Sequence, residues 1–569
     1  MEKIDRIYYG KINPSDFKKL YDIDKPPTGG GQTYLEAAGI SNEKMVDFLS
    51  IAERKDSPSD SRYTYSVNAY VLGNPATPPA ILEFAPRLRR ANYKISRQTM
   101  ANKHPAWAPA NGFPVPNIDP VTGQYTSVGD FAGIIDNLFI LIIRTSYCHF
   151  YASYLDSATM PTGWPTGIGL EEIFTGGRRG IINLSNYSVE FIDSAVVPFG
   201  SIVKIPLECH TGYVSPHKEK RNRIVFGAPG TGKSFTLNYD RKNFPIPDAD
   251  YVRVTFHADY SYSQFVGTYK PVTLVSGDIS YKFVPGPFMR ILVKAYKNIY
   301  SAYDVSAAAF DIKKIKPYLL LIEEINRAHT AAVFGEVFQL LDRDDDNVSE
   351  YEIQPSDEIK EYLCSELGGM PDDFTSIKLP DNLYIWATMN SADQGVFPMD
   401  TAFKRRWSFK YIGVDDEEFH VEIIGGVKTV RENQGGTFTI ASDKIEWNVL
   451  RRAINAKLSN SIIKVHEDKL MGPFFLKTMD KSGNIILNDQ EFVDLFCDKV
   501  LMYLFEDAAK TKRSDLFSGC KDKDRLNRYS YICKEFRTYG VSIFGDDFFS
   551  KEYKKQENER NSAKMEAEK

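Results

Sequence analysis

One ten-residue stretch, FGAPGTGKSF at positions 226–235, limits what this chain can fold into more than any other feature of it. Gly227, Gly232, Lys233 and Ser234 satisfy the G-x-x-x-x-G-K-[ST] phosphate-loop pattern, with Gly230 and Thr231 inside it. Glycine lets the backbone turn tightly and bring its N–H groups up to phosphate oxygens, an approach that a Cβ obstructs. The Lys233 ammonium then reaches the β and γ phosphates, and the Ser234 hydroxyl ligates Mg²⁺. The flanks agree with this, since NRIVF before the loop is a short apolar strand pattern and SFTLNYD after it opens a helix whose N-terminal end faces an anion. A strand–loop–helix unit around a nucleoside triphosphate is therefore predicted, held by Gly227, Gly230, Thr231, Gly232, Lys233 and Ser234.

With 569 residues there is room for roughly three or four domains. A composition that is 43% hydrophobic and 25% charged is that of an ordinary globular protein, and a net charge of −5 is too small to drive binding to nucleic acid or acidic membranes globally. Any DNA contact must then come from a local patch. The longest apolar run, FAGIIDNLFILII at 131–143, is shorter than a membrane span and carries Asp136. MEKIDRIYYGK at the N-terminus has no apolar signal core, and the six cysteines form no C-x-x-C pair. These features predict a reduced, cytoplasmic protein without structural zinc or disulfides.

Residues 1–205 are turn-rich and aromatic-rich and carry no nucleotide motif, and the polar stretch 206–222 after them is predicted to be a linker. From 223 to 410 the strand-like runs RIVF, YVRVTF, PYLLLIEE and NLYIWATMN alternate with longer helical text, which predicts a parallel sheet covered by helices. In the mixed segment 411–550, EFVDLFCDKVLMYLFEDAAK has the spacing of an amphipathic helix. Residues 551–569 are charged and lack apolar anchors after Tyr553, so a frayed tail is expected there.

A phosphate loop needs a second set of groups to do chemistry. PYLLLIEEINRAH at 317–329 gives an apolar strand ending in Glu323 and Glu324. Glu323 is assigned to Mg²⁺ through water and Glu324 to the polarisation of the attacking water. A third strand, NLYIWATMN, ends in Asn390, with Ser391 and Asp393 beyond it to orient water. Lys404, Arg405 and Arg406 follow on a predicted helix, where a guanidinium can cross a subunit boundary and stabilise charge on the γ-phosphate.

The order phosphate loop, LLLIEEINRA, VFGEVFQLLDRD and ATMNSADQGVFPMDTAFKRRW resembles the AAA+ nucleotidases and, within them, the McrB family, the GTP-dependent motor subunits of modification-dependent restriction systems. FHADYSYSQFVGTYKP at 256–271 and EDKLMGPFFL at 467–476 are similar to further segments of that family, the latter to its lid. The resemblance spans about 221–510 and implies an α/β AAA+ P-loop core with a mostly helical C-terminal lid, preceded by an N-terminal mixed α+β recognition domain. It also implies a ring, expected to be a hexamer, that binds GTP (or ATP) and Mg²⁺ and works with a separate nuclease subunit similar to McrC on double-stranded DNA. By position it places Glu324 on the catalytic acid, Asn390 and Asp393 on an M-N-x-x-D hydrolysis signature, and Arg405 and Arg406 on arginines that act across the ring interface. Glu323 stands where the family has Asp, Gln394 where it usually has Arg, and Lys404 where it has a third Arg.

The resemblance does not reach the first 200 residues. There, EFAPRLRRANYKISRQTM at 83–100 gathers Arg87, Arg89, Arg90, Lys94 and Arg97 around Tyr93, a pattern suited to phosphate contacts and base stacking, or else to a solvated helix face. TGGRRGIINL at 175–184 is a second candidate. Two functions from different classes follow: a DNA-specificity and motor subunit of a restriction or antiphage complex, or an ATP-dependent AAA+ remodeller or antiphage sensor whose N-terminal domain binds protein.

Overall fold

The computed structural model describes residues 2–14, 16, 34–40, 42–50, 53–56, 63–74, 76, 78–86, 92–97, 119–122, 136–159, 161–175, 177–194, 197–215, 219–244, 246–273, 279–390, 395–424, 427–480 and 482–568. They form two compact units: residues 1–214, 266–316 and 342–382 make one, and residues 215–265, 317–341 and 383–569 the other. Among the described residues no helix is long and apolar enough to cross a membrane, and the six cysteines are free thiols.

The first unit is built on an eleven-stranded sheet. Its strands are β1 (Lys3–Lys11), β2 (Tyr34–Ala38), β3 (Glu53–Asp56), β4 (Tyr63–Val71), β5 (Ala80–Pro86), β6 (Asn92–Arg97), β7 (Leu138–Thr145), β8 (Phe150–Asp156), β9 (Arg179–Asn183), β10 (Tyr187–Phe191) and β11 (Phe199–Lys204). The order is β11-β10-β1-β7-β8-β4-β5-β6-β2, with β3 on β4 and β9 on β1. All pairings are antiparallel except β4 with β8. The apolar run at 131–143 supplies β7, buried along its whole length. Alternation sorts its residues, with Ile140 and Ile142 joining a core on one face and Phe139, Leu141 and Ile143 a core on the other. The hairpins β14 (Gly267–Thr273) with β15 (Ile279–Pro285) and β16 (Tyr303–Asp304) with β17 (Ala309–Phe310), and the helices Pro287–Ala302 and Asp357–Leu367, belong to the same unit. Part of the expected 206–222 linker is pinned down here: the buried Asp381 carboxylate accepts from the Thr211 amide at 2.7 Å, the Thr211 hydroxyl at 2.9 Å and the Tyr213 amide at 3.2 Å.

The second unit contains a parallel sheet of β12 (Asn222–Gly227), β13 (Tyr251–Thr255), β18 (Tyr318–Glu323), β19 (Leu383–Asn390) and β20 (Ser408–Ile412), in the order β13-β18-β19-β12-β20. The four strand-like runs of the sequence become β12, β13, β18 and β19. Because β13, the next of these strands after β12 in the chain, lies at the far edge of the sheet, the strand order reverses beside β12. Such a switch point opens a crevice at the carboxyl ends of the strands.

Beyond β20 come the hairpins β21 (Phe419–Ile424) with β22 (Val427–Glu432) and β23 (Thr437–Ile440) with β24 (Asp443–Glu446), then the helices Trp447–Ser459, Asp489–Leu495 and Tyr529–Tyr539. The second of these continues through wide, π-type turns at Phe496–Leu501 and Leu504–Ala508, so the predicted 491–510 helix is present. Trp447, Phe492, Phe496 and Phe536 lie at the centre of its core.

The expected frayed tail is instead a helix, Lys554–Glu568. Tyr553, Gln556 and Arg560, at helical spacing, are all buried. The Arg560 guanidinium meets Glu418 and lies 2.8 Å from Glu432, and the Tyr553 hydroxyl accepts from the Glu446 amide at 2.8 Å. The buried stripe of this helix is polar, which is why apolar periodicity did not reveal it.

Candidate functional site

β12 delivers the chain to the phosphate loop, and the helix Lys233–Asn243 carries it away. Gly230 (φ 76°) and Gly232 (φ 90°) hold left-handed conformations that favour glycine. Gly230 is doubly constrained, because a Cβ there would lie 2.5 Å from the Phe475 amide nitrogen. The segment Gly472–Phe475 therefore lies directly on the loop, its Gly472 and Phe474 amides donating to the Pro229 carbonyl at 2.9 Å and the Gly230 carbonyl at 2.8 Å. The Trp447 indole anchors that segment by donating to the Pro473 carbonyl at 3.0 Å. Lys233 is buried, and its ammonium donates to the carbonyls of Gly227 (3.1 Å) and Ala228 (2.9 Å). The Thr231 hydroxyl is turned inward to the Ala228 carbonyl at 2.9 Å, so this side chain braces the loop.

At the end of β18 two consecutive carboxylates face different partners. Glu323 is buried. Its Oε2 accepts from Ser234 Oγ at 2.8 Å and Thr388 Oγ1 at 2.6 Å, and its Oε1 from the Arg253 guanidinium at 2.6 Å. Glu324 has φ 55° and ψ 48°, a left-handed backbone unusual for a residue with a Cβ and of the kind found at functional sites. That turn redirects its side chain, so that Oε1 accepts from Asn390 Nδ2 at 2.7 Å and Oε2 from Arg327 Nε at 3.2 Å. The Glu324 amide donates to Thr388 Oγ1 at 3.0 Å. Asn390 is fixed in turn through its carbonyl, which accepts from Asn326 Nδ2 at 2.6 Å.

The structure thus brings Lys233, Ser234, Glu323, Glu324 and Asn390 to the carboxyl ends of three adjacent strands. Sequence reasoning missed Thr388 and Arg253. Thr388 stands two residues before Asn390 and so on the same face of β19, and Arg253 is the one charged residue of β13. Thr388 stands one residue before the M-N-x-x-D signature and is not one of its positions, and Arg253 belongs to no motif.

Other expectations change. Asp393 and Gln394 lie outside the described residues. The helix Thr401–Lys404 is capped by Asp400, whose carboxylate accepts from the Phe403 amide at 2.6 Å. Beyond it Arg405 is exposed, whereas Arg406 lies with its guanidinium 3.9 Å from the Phe338 ring centroid and donates to the Ala402 carbonyl at 2.7 Å. Both of these Arg406 contacts are within its own chain.

In the N-terminal run, Arg87, Arg89 and Arg90 lie outside the described residues, and the described part is the strands β5 and β6 rather than a helix. Lys94 is half-buried, and Arg97 ends β6. Tyr93 is corrected outright: it is 2% exposed, within the core, and a ring enclosed there cannot stack on a base. In TGGRRGIINL, Gly177 and Gly180 make room for a core side chain, since a Cβ on either would come within 2.5 Å of Tyr9.

Residues 222–407 match the model of the AAA domain (dynein-related subfamily). The chain is 41% identical over 312 residues to the type II restriction enzyme BsuMI component YdiS of Bacillus subtilis (strain 168), a match that covers 51% of this chain and 80% of that protein. It is 29% identical over 205 residues to the type IV methyl-directed restriction enzyme EcoKMcrB subunit of Escherichia coli (strain K12), covering 35% of this chain and 37% of that subunit. With a phosphate loop, paired strand-end carboxylates and these relatives, the chain belongs to the McrB-like AAA+ family of restriction-system proteins.

Proposed function

We propose that the chain is the NTP-hydrolysing motor and DNA-specificity subunit of a restriction or antiphage complex, with GTP as its nucleotide. The observation that carries the chemistry is the joined lattice at the strand ends, in which Thr388 Oγ1 touches both Glu323 Oε2 (2.6 Å) and the Glu324 amide (3.0 Å). GTP rather than ATP follows from the McrB-like resemblance, and restriction from the names of the two relatives.

Among the described residues no group of three or more His, Cys, Asp or Glu side chains is arranged to hold a metal ion. The residues present nonetheless suit Mg²⁺ with a nucleotide, which is typically held by one or two carboxylates, waters and substrate phosphates. Glu323 Oε2 and Ser234 Oγ, 2.8 Å apart, would hold it. When bound, it would neutralise charge on the phosphates.

The rest falls to the chain. Loop amides receive phosphate oxygens at a helix N-terminus, and Lys233 exchanges its two loop carbonyls for the β and γ phosphates. Asn390 holds the Glu324 carboxylate in place to orient and polarise the attacking water. Asp393, three residues after Asn390 in the sequence, assists. Arg405, on the surface, reaches the nucleotide of the neighbouring subunit in a homo-oligomeric ring, proposed to be a hexamer. Cleavage belongs to a separate McrC-like nuclease subunit.

The N-terminal unit selects double-stranded DNA. The burial of Tyr93 favours a second reading, a remodeller whose N-terminal region binds protein, because it removes the aromatic member of the basic run. Binding of the full chain to duplex DNA across a salt series separates the two. Affinity that falls steeply with salt supports DNA recognition, and absence of binding to any duplex, methylated or not, supports the second.

A further inference from the structure

Glu323 carries one methylene more than the Asp of the resembling family, and with it one more rotatable bond by which the carboxylate can swing away from Ser234. In the structure both oxygens are held. Oε2 is fixed by Ser234 Oγ and Thr388 Oγ1, while Oε1, on the other side of the carboxylate, is fixed by Arg253 at 2.6 Å. Arg253 reaches it from the adjacent strand, where Thr255 pairs with Glu323 and Arg253 lies two residues earlier on the same face. The side chain of Arg253 is 47% exposed and that of Glu323 9%, so the arginine spans from solvent to a buried acid.

We propose that Arg253 is a positioning residue for the metal site: by clamping Oε1 it turns Oε2 toward Ser234 and lets a glutamate stand where a shorter aspartate would need no clamp. The inference rests on the assignment of Ser234 and Glu323 to Mg²⁺. Charge alone would give the opposite effect, because a guanidinium beside the carboxylate repels a divalent cation. Clamp and simple counter-ion therefore predict shifts of opposite sign when Arg253 is removed.

The test is equilibrium binding of a fluorescent, non-hydrolysable GTP analogue to the full chain, titrated with Mg²⁺, for wild type, Arg253→Ala, Arg253→Lys, Glu323→Asp and the Arg253→Ala/Glu323→Asp double variant. The Mg²⁺ concentration giving half-maximal response is expected to rise about 10-fold in Arg253→Ala, as for loss of a residue that orients a metal ligand. Affinity in EDTA should not change. Arg253→Lys should recover part of the loss, since it keeps the charge without the planar fork. In the Glu323→Asp background the alanine substitution should have little effect, a coupling that general loosening of the sheet would not produce. Melting temperatures check that each variant is folded. An unchanged or lower half-maximal Mg²⁺ concentration in Arg253→Ala, or the same shift in both backgrounds, overturns the inference. Wild-type binding that ignores Mg²⁺ altogether overturns the metal assignment itself, and the clamp with it.

Discussion

At the scale of single residues, one hydroxyl ties the Glu323 carboxylate to the Glu324 backbone amide. Thr388 is 1% exposed and lies between the Glu323 carboxylate and the Glu324 backbone, so its loss takes one hydrogen bond from each. Thr388→Val keeps the shape and removes the hydrogen bonds. Single-turnover hydrolysis should fall about 10- to 100-fold, the usual cost of deleting a group that orients a metal ligand, while equilibrium nucleotide binding through the loop persists. Glu323, Glu324 and Asn390 were legible in the sequence because each ends an apolar strand downstream of a phosphate loop. Thr388 was not, because threonine inside a strand is what β-propensity supplies in any case. Tyr93 misled for the converse reason: a basic run suggests a solvated face, but the side chains of a strand alternate, and Tyr93 falls on the buried side of β6.

At the scale of elements, the parallel strands were readable from their apolar runs, and their C-terminal ends placed the site. The C-terminal helix was not readable, because its anchors are Tyr553, Gln556 and Arg560 rather than aliphatic residues. This region carries its own test. Glu446 caps the helix Trp447–Ser459 by accepting from the Val449 amide at 2.8 Å, and its other oxygen has no hydrogen-bond partner among the described residues. Burial pushes its carboxyl up to about 7, against the opposing pull of the Arg560 guanidinium and the Val449 and Asn448 amides. A carboxyl with a raised value in the fold takes up a proton on folding. Its contribution to stability is therefore full below the unfolded carboxylate value of about 4.3 and is lost as pH rises through about 7. Glu446→Gln cannot titrate. Its melting temperature, relative to wild type, should climb as pH is raised from about 5 to about 8; a difference that stays constant across that range would refute the assignment.

At the scale of the whole molecule, the proposed mechanism requires a ring of subunits. In the proposed ring the exposed Arg405 acts on the next subunit's nucleotide. Arg405→Ala and Glu324→Gln proteins, each inactive alone, should regain some hydrolysis when mixed, because certain interfaces then join an intact acid to an intact arginine. No recovery at any ratio would count against the ring. The resemblance made the nucleotide half of the molecule legible from its motifs, whereas the eleven-stranded sheet of the first unit has no motif and could be recognised only once its strands were paired. The measurement that tests the central claim most directly is steady-state hydrolysis of GTP and ATP by wild type and Glu324→Gln, with nucleotide binding measured alongside. The account predicts wild-type turnover that favours GTP, and a Glu324→Gln protein that binds nucleotide normally but hydrolyses it at least about 100-fold more slowly. Turnover at the wild-type rate in Glu324→Gln would contradict it.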